Sequence, residues 1–163
     1  MAQTKIRQGQ QVVDSIAVPY VTKNWSNGSG TYTTSSTTHG YIDQTNAKAT
    51  LTLKYGKLVM VDLFIGGIWN ANTGYSVSFD IGLGGTSTRS TSGAVITNSA
   101  SWVGNWSTDG TLRTVFYGKF YFVDCGTGSK DFYALWATNN ASYSATIGQY
   151  ASGFMYVTEL YMQ

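Results

Sequence analysis

At 163 residues the chain is long enough to bury a core without staples and has the size of one ordinary domain. Only 11% of residues are charged while 15% are aromatic, with 19 Gly and a single Pro, a balance that argues against intrinsic disorder and for a sheet protein with many tight turns. The net charge of +2, from scattered Lys and Arg, leaves no footprint for nucleic acid or an anionic membrane, and one cysteine, Cys125, excludes an internal disulfide.

Residues 1–24 are Gln-rich and carry Ile6, Arg7, Val12, Val13 and Ile16 without a sustained helical or strand period. The segment is too short and too weakly apolar to fold alone, and the expectation is an extended arm docked on a partner. It lacks the continuous apolar run of a signal peptide, and no stretch approaches the roughly 18 apolar residues of a membrane span, so a soluble product made in the cytoplasm is expected. Pro19 and the Asn24 to Gly30 cluster read as the hinge into a head domain over 25–163.

From Thr31 the sequence turns to β. Thr31 to Thr38 reads as a polar outer strand, and Ala47 to Lys54 alternates Ala and Leu with Lys and Thr, a strand with one solvated face. After a Tyr55-Gly56 turn, Lys57 to Ile65 is apolar on both faces, as in a central strand, and Gly66-Gly67 ends or bulges it. Tyr75 to Leu83 is the cleanest period-2 run, and Ala94 to Thr97 reads as a short strand. Asn98 to Gly110 reads as a loop holding Trp102 and Trp106. Thr111 to Val123 gives one long strand or a bulged pair around Gly118, followed by a C-terminal trio of β runs from Asp124 to Tyr161. Eight to ten strands without βα alternation predict an all-β sandwich, jelly roll or barrel.

The acids are Asp14, Asp43, Asp62, Asp80, Asp109, Asp124, Asp131 and Glu159, and no short motif pairs them for glycosidic chemistry. Asp124 and Asp131 flank a turn and look like strand-end residues. One His, His39, and one Cys cannot fill a transition-metal site alone; Asp and Asn oxygens of an Asn-rich loop leave calcium open, but no EF-hand-like spacing exists, and no cofactor and no catalytic group is expected. Cys125 reads as a small buried residue rather than a reactive thiol. Sequons begin at Asn24, Asn27, Asn105 and Asn140, and without a signal peptide they carry no weight. Trp69 beside Asn70 and Asn72, and the Trp102 to Trp106 loop, combine rings with amides and hydroxyls, the mixture suited to stacking on sugars or to filling a protein interface. They are the candidate glycan contacts.

The turn and strand Asp131-Phe132-Tyr133-Ala134-Leu135-Trp136-Ala137-Thr138, the strand at 145–147 and the ending Phe-Met-Tyr-Val-Thr-Glu-Leu at 154–160 resemble the close of the jelly-roll heads of phage fibre proteins. These are similar to the tumour necrosis factor and complement globular-head superfamily, whose central hairpin the stretch at 51–66 resembles, while residues 4–16 look like the leader of phage fibres. The resemblance implies a jelly-roll β-sandwich head that assembles as a homotrimer, with one sheet of each sandwich around the three-fold axis. It offers Phe116, Tyr117, Phe120, Tyr121, Phe122, Tyr133 and Tyr156 as interface candidates. It also implies a non-enzymatic virion protein, a short fibre, spike or capsid decoration at the virion surface, with residues 1–24 held by a capsid or tail protein and the head available to host surface polysaccharide. The alternative reading is a carbohydrate-binding module and, further off, a polysaccharide depolymerase.

Overall fold

The computed structural model describes residues 5–8, 11–14, 19–26, 30–70, 75–84, 94–95, 101–104, 113–148 and 151–160. Among them every regular element is a strand, and the pairing is antiparallel throughout. β1 (Lys5–Gln8) and β2 (Gln11–Asp14) pair with each other, which sets Ile6 opposite Val13 and Arg7 opposite Val12. Ile16, the remaining arm candidate, lies outside the described residues.

The other strands build two sheets around one core. The first contains β3 (Tyr20–Ser26), β4 (Tyr32–Thr34), β7 (Leu58–Asn70), β9 (Ala94–Val95), β11 (Thr114–Val123), β13 (Ala145–Ile147) and β14 (Ser152–Leu160), with main order β3-β14-β7-β11-β9. The second contains β5 (Gly40–Tyr41), β6 (Lys48–Leu53), β8 (Ser76–Leu83), β10 (Ser101–Gly104) and β12 (Gly128–Thr138). From β6 onward the chain changes sheet at each successive strand through β13: β6, β8, β10 and β12 lie in the second sheet, and β7, β9, β11 and β13 in the first. More strands are present than the eight to ten read from the sequence, because β1, β2 and β3 fall in the stretch read as arm and hinge and β10 falls within the stretch read as a loop from Asn98 to Gly110.

Period-2 alternation fixes which side chains fill the core. Val59, Val61, Leu63 and Ile65 of β7 face Val77, Phe79, Ile81 and Leu83 of β8 and Phe132, Ala134 and Trp136 of β12 within one buried cluster. β7 passes from β14 to β13 at Gly66-Gly67: Ile65 pairs with Gly153 and Ile68 with Ile147, so the glycine pair bulges the strand instead of ending it. The expected hinge at Asn24 to Gly30 is corrected in part. Tyr20–Ser26 is a full strand along β14, the residue-24 boundary falls inside it, and Trp25 is 8% exposed within the core cluster. Trp25 sits directly opposite Gly153 in register, and a Cβ on Gly153 would lie 2.0 Å from the indole, so only glycine leaves room for that ring.

Asp43 anchors the turn before β6. Its Oδ1 accepts from the amides of Thr45 at 2.9 Å and Asn46 at 2.8 Å, and its Oδ2 accepts from Asn46 Nδ2 at 2.9 Å and the Tyr32 hydroxyl at 2.8 Å. Partial burial disfavours the carboxylate, but the Asn46 and Tyr32 hydrogen bonds outweigh it and hold the carboxyl down at about 2. Burial, the same hydrogen bond and the Asp43 charge push the Tyr32 phenol up to about 12. A carboxyl lowered on folding stabilises the fold above its unfolded value near ~3.9 and loses that contribution as pH falls toward 2. Acid titration of the parent should therefore show about 1 kcal/mol of stability lost between roughly pH 4 and 2, after solvent screening, and Asp43→Asn should abolish that component of the urea-midpoint profile.

Candidate functional site

The two outer faces of the sandwich differ sharply. On the second sheet, Asp131 gathers the Thr50 hydroxyl at 2.6 Å, the Tyr133 hydroxyl at 3.1 Å and Lys48 Nζ at 3.5 Å, and these contacts, led by Thr50, lower its pKa. Ser78, Asp80, Leu135 and Ala137 on the same face are buried. Tyr133, one of the interface candidates, is 6% exposed and packs edge-on against Tyr41 at 5.0 Å. The β8–β12 part of this face is closed to solvent, while Lys48 and Asp131 stay partly exposed.

The outer face of the first sheet is open and aromatic. In register across β11, β7, β14 and β3 run three rows: Tyr121, Met60, Thr158 and Tyr20; Lys119, Asp62, Tyr156 and Thr22; Tyr117, Phe64, Phe154 and Asn24. Tyr20 is 65%, Val115 60% and Tyr117 63% exposed, the large apolar side chains most open to solvent among the described residues. The middle row is polar but neutral as a set. Lys119 Nζ lies 3.3 Å from Asp62 Oδ1, and the Tyr117 hydroxyl donates to the same oxygen at 2.8 Å. Those contacts with Asp62 raise the pKa of both Tyr117 and Lys119. Tyr20 and Tyr156 pack ring to ring at 5.9 Å.

The interface candidates thus separate by strand parity. Tyr117, Tyr121 and Tyr156 lie on this open face, whereas Phe116, Phe120 and Phe122 point the other way and are at most 3% exposed inside their own core. Those three phenylalanines, offered as interface candidates with no face assigned, are corrected to core residues: odd and even positions of one strand cannot share a side. Gly118, between them on the inner side, lies under the Phe116 ring.

At the β3–β14 side of the open face is a groove of ≈ 570 Å³. Phe64 and Phe154, cross-strand partners, line it together with Trp25 over Gly153, and Asn24, Ser26 and Ser152 supply polar groups. None of these residues is charged.

The candidate glycan contacts are dispersed. Trp69 lies in β7, not in a loop, with the Arg113 guanidinium 4.8 Å from its ring and Gly148 beneath it. Asn70 ends β7 opposite Ala145, Trp102 lies in β10 opposite Ser78, and Asn72 and Trp106 fall outside the described residues. His39 and Ser78, which sequence reasoning left unpaired, meet at 2.8 Å between Nε2 and Oγ. Ser78 is 0% exposed, so the hydroxyl presents no surface to a substrate. Among the described residues no group of three or more His, Cys, Asp or Glu is placed to hold a metal ion.

Two further side chains have roles the sequence only partly signalled. Cys125 is buried, and burial pushes its thiol up to about 11, as expected for a packing residue. Its reaction with a thiol-specific disulfide reagent at pH 8 should be at least about 100-fold slower in the native state than in denaturant, because the thiolate is the reacting species. Glu159, by contrast, drew no role from the sequence beyond its place among the acids, and it is 0% exposed. Its carboxylate accepts the amides of Lys54 and Tyr55, each at 2.7 Å, and that of Gly56. No protein-family model and no curated protein matches this chain.

Proposed function

We propose that this chain is a non-enzymatic virion structural protein: a jelly-roll head that assembles as a homotrimer through the outer face of its first sheet, displayed at the surface of a phage particle as a short fibre, spike or decoration. The observation that carries the reading is the contrast between the two outer faces, one with Ser78, Asp80, Leu135 and Ala137 buried and one left open with Tyr20, Val115 and Tyr117 more than half exposed. A monomer with such a face carries an aggregation hazard, and association removes it. The sheet-to-sheet alternation of β6 through β13 supports the jelly-roll description. The paired charges of Asp62 and Lys119 leave the face neutral, so copies approach without net repulsion.

Sedimentation at micromolar concentration should give a mass of three chains, and a stable, soluble monomer overturns the assembly. For the virion role, deleting residues 2–18 should leave the assembled head intact and abolish its incorporation into particles. Normal incorporation of the truncated chain refutes anchoring through that segment.

A further inference from the structure

We propose that Tyr75 and Tyr143 form an oxidative crosslinking site, at which a haem peroxidase supplied with hydrogen peroxide joins the two rings as a dityrosine within one chain. The bond ties the two sheets together at one end of the sandwich. The inference stands apart from the self-association proposed above, because both rings belong to the same copy.

The two rings are already in contact. Their centroids lie 4.2 Å apart, with planes tilted by 36°. Hydrogen bonding to Tyr143 leads the effects that raise the Tyr75 pKa, so the hydroxyl ends of the rings meet. The ring carbons next to the hydroxyls, where a phenoxyl radical carries much of its unpaired spin, are therefore held side by side. The backbone fixes both partners. Ser76, next to Tyr75, donates its amide to Asn139 Oδ1 at 3.0 Å, and its carbonyl accepts the Asn139 amide at 3.0 Å. Asn140 closes the following turn: its carbonyl accepts the Tyr143 amide at 3.3 Å and its Oδ1 accepts that of Ser142 at 2.9 Å. Both tyrosines are half-buried, open enough to lose an electron to an external oxidant and to swing from face contact into a bonded edge.

Each phenol gives up one electron and one proton. The two radicals couple through a new bond between their ortho carbons, and the hydrogen on each of those carbons moves to the oxygen, which restores the aromatic rings. Hydrogen peroxide takes up the two electrons and two protons and leaves as two waters. Holding the radicals together makes the coupling effectively unimolecular. Two other tyrosine pairs among the described residues are less suited. Tyr41 and Tyr133 meet edge-on at 5.0 Å, with Tyr133 6% exposed and its hydroxyl donated to Asp131, and Tyr20 and Tyr156 lie 5.9 Å apart. Cys125, the chain's one thiol, is buried and does not compete for the oxidant. Tyr75 stands immediately before β8 of the second sheet and Tyr143 shortly before β13 of the first, so the bond bridges the sheets and closes a loop that holds β8 to β12. A crosslink of that span restricts the unfolded chain, as a disulfide does.

The test uses the full chain as an equal mixture of ¹⁴N and ¹⁵N protein, treated with a haem peroxidase and hydrogen peroxide, with its crosslinked peptides mapped by mass spectrometry. The expected product is a crosslink from position 75 to position 143 within one isotope, lighter by two hydrogens, with the blue fluorescence of dityrosine and a urea midpoint raised by about 1 M. Tyr75→Phe and Tyr143→Phe, each shown to be folded by near-ultraviolet dichroism, should lower the dityrosine yield at least about 10-fold, and Tyr20→Phe should leave it unchanged. Dityrosine fluorescence that persists in folded Tyr75→Phe, or a main crosslink that maps to Tyr20 and Tyr156, overturns the site. A 75 to 143 crosslink of mixed isotopes places the reaction between copies and refutes the bond within one chain. An unchanged urea midpoint in the crosslinked chain refutes the tie between the sheets.

Discussion

Glu159→Ala is expected to lower the unfolding free energy by about 4 kcal/mol, seen as a urea midpoint about 2 M below that of the parent. The side chain has no exposed surface, and its two oxygens take three successive backbone amides, those of Lys54, Tyr55 and Gly56. Hydrogen bonds to a charged acceptor contribute more than neutral ones, and alanine leaves the donors facing a void that its methyl group cannot fill. The turn has little freedom to swing toward solvent. Gly56 holds a φ of 65°, and a Cβ there would stand 2.3 Å from the backbone of Gly126. Glu159→Gln keeps the shape but turns an amide donor toward amide donors, so about half the loss is expected. If both variants unfold within 1 kcal/mol of the parent by tryptophan fluorescence, the carboxylate does not hold the turn.

The second large effect concerns assembly without a change of fold. Val115→Lys combined with Tyr117→Ser should convert the sedimenting oligomer to monomer, weakening association by about 100-fold or more, since buried aromatic anchors at an interface contribute about 2 kcal/mol each. Both side chains are mostly exposed in the single chain, so the monomer's own stability should move by no more than about 0.5 kcal/mol. Sedimentation and thermal melting of the same samples separate the two quantities. A double variant that remains oligomeric with the parent's affinity rules out β11 as part of the interface.

Alternation made part of this architecture readable from the chain. Tyr75 to Leu83 repeats apolar residues every second position, and Val77, Phe79, Ile81 and Leu83 all enter the core. The same rule gives no answer where a strand is aromatic on both sides. In β11 the residues Phe116 to Phe122 include rings of both parities, and only the neighbouring sheet decides which are inside. Trp25 was hidden for a different reason: the Asn, Ser and Gly around it carry turn signals, while its partner Gly153, whose missing side chain makes the space, lies over a hundred positions away. Trp69 and Trp102 were placed in loops by the same flanking residues, yet ladder pairing with Thr146 and Ser78 keeps both in strands. The open face itself became legible only once β3, β14, β7 and β11 were aligned, because each contributes only a few side chains to each row.

The long reach of Glu159 also bears on the order in which the fold is completed. The amides it holds precede it by 103 to 105 positions, so during synthesis the β6–β7 turn exists for most of the chain's production without its anion. β3 waits likewise, since its sheet partner β14 is the last described strand. Bringing such distant segments together requires closing a long loop before the contacts compensate, which slows folding relative to locally paired topologies. The β6–β7 turn therefore becomes rigid late, after β14 has docked. Until then β7 and β14, the two central strands of the first sheet, have unpaired edges, and a chain stalled before residue 159 is the species most exposed to misassociation with its own kind.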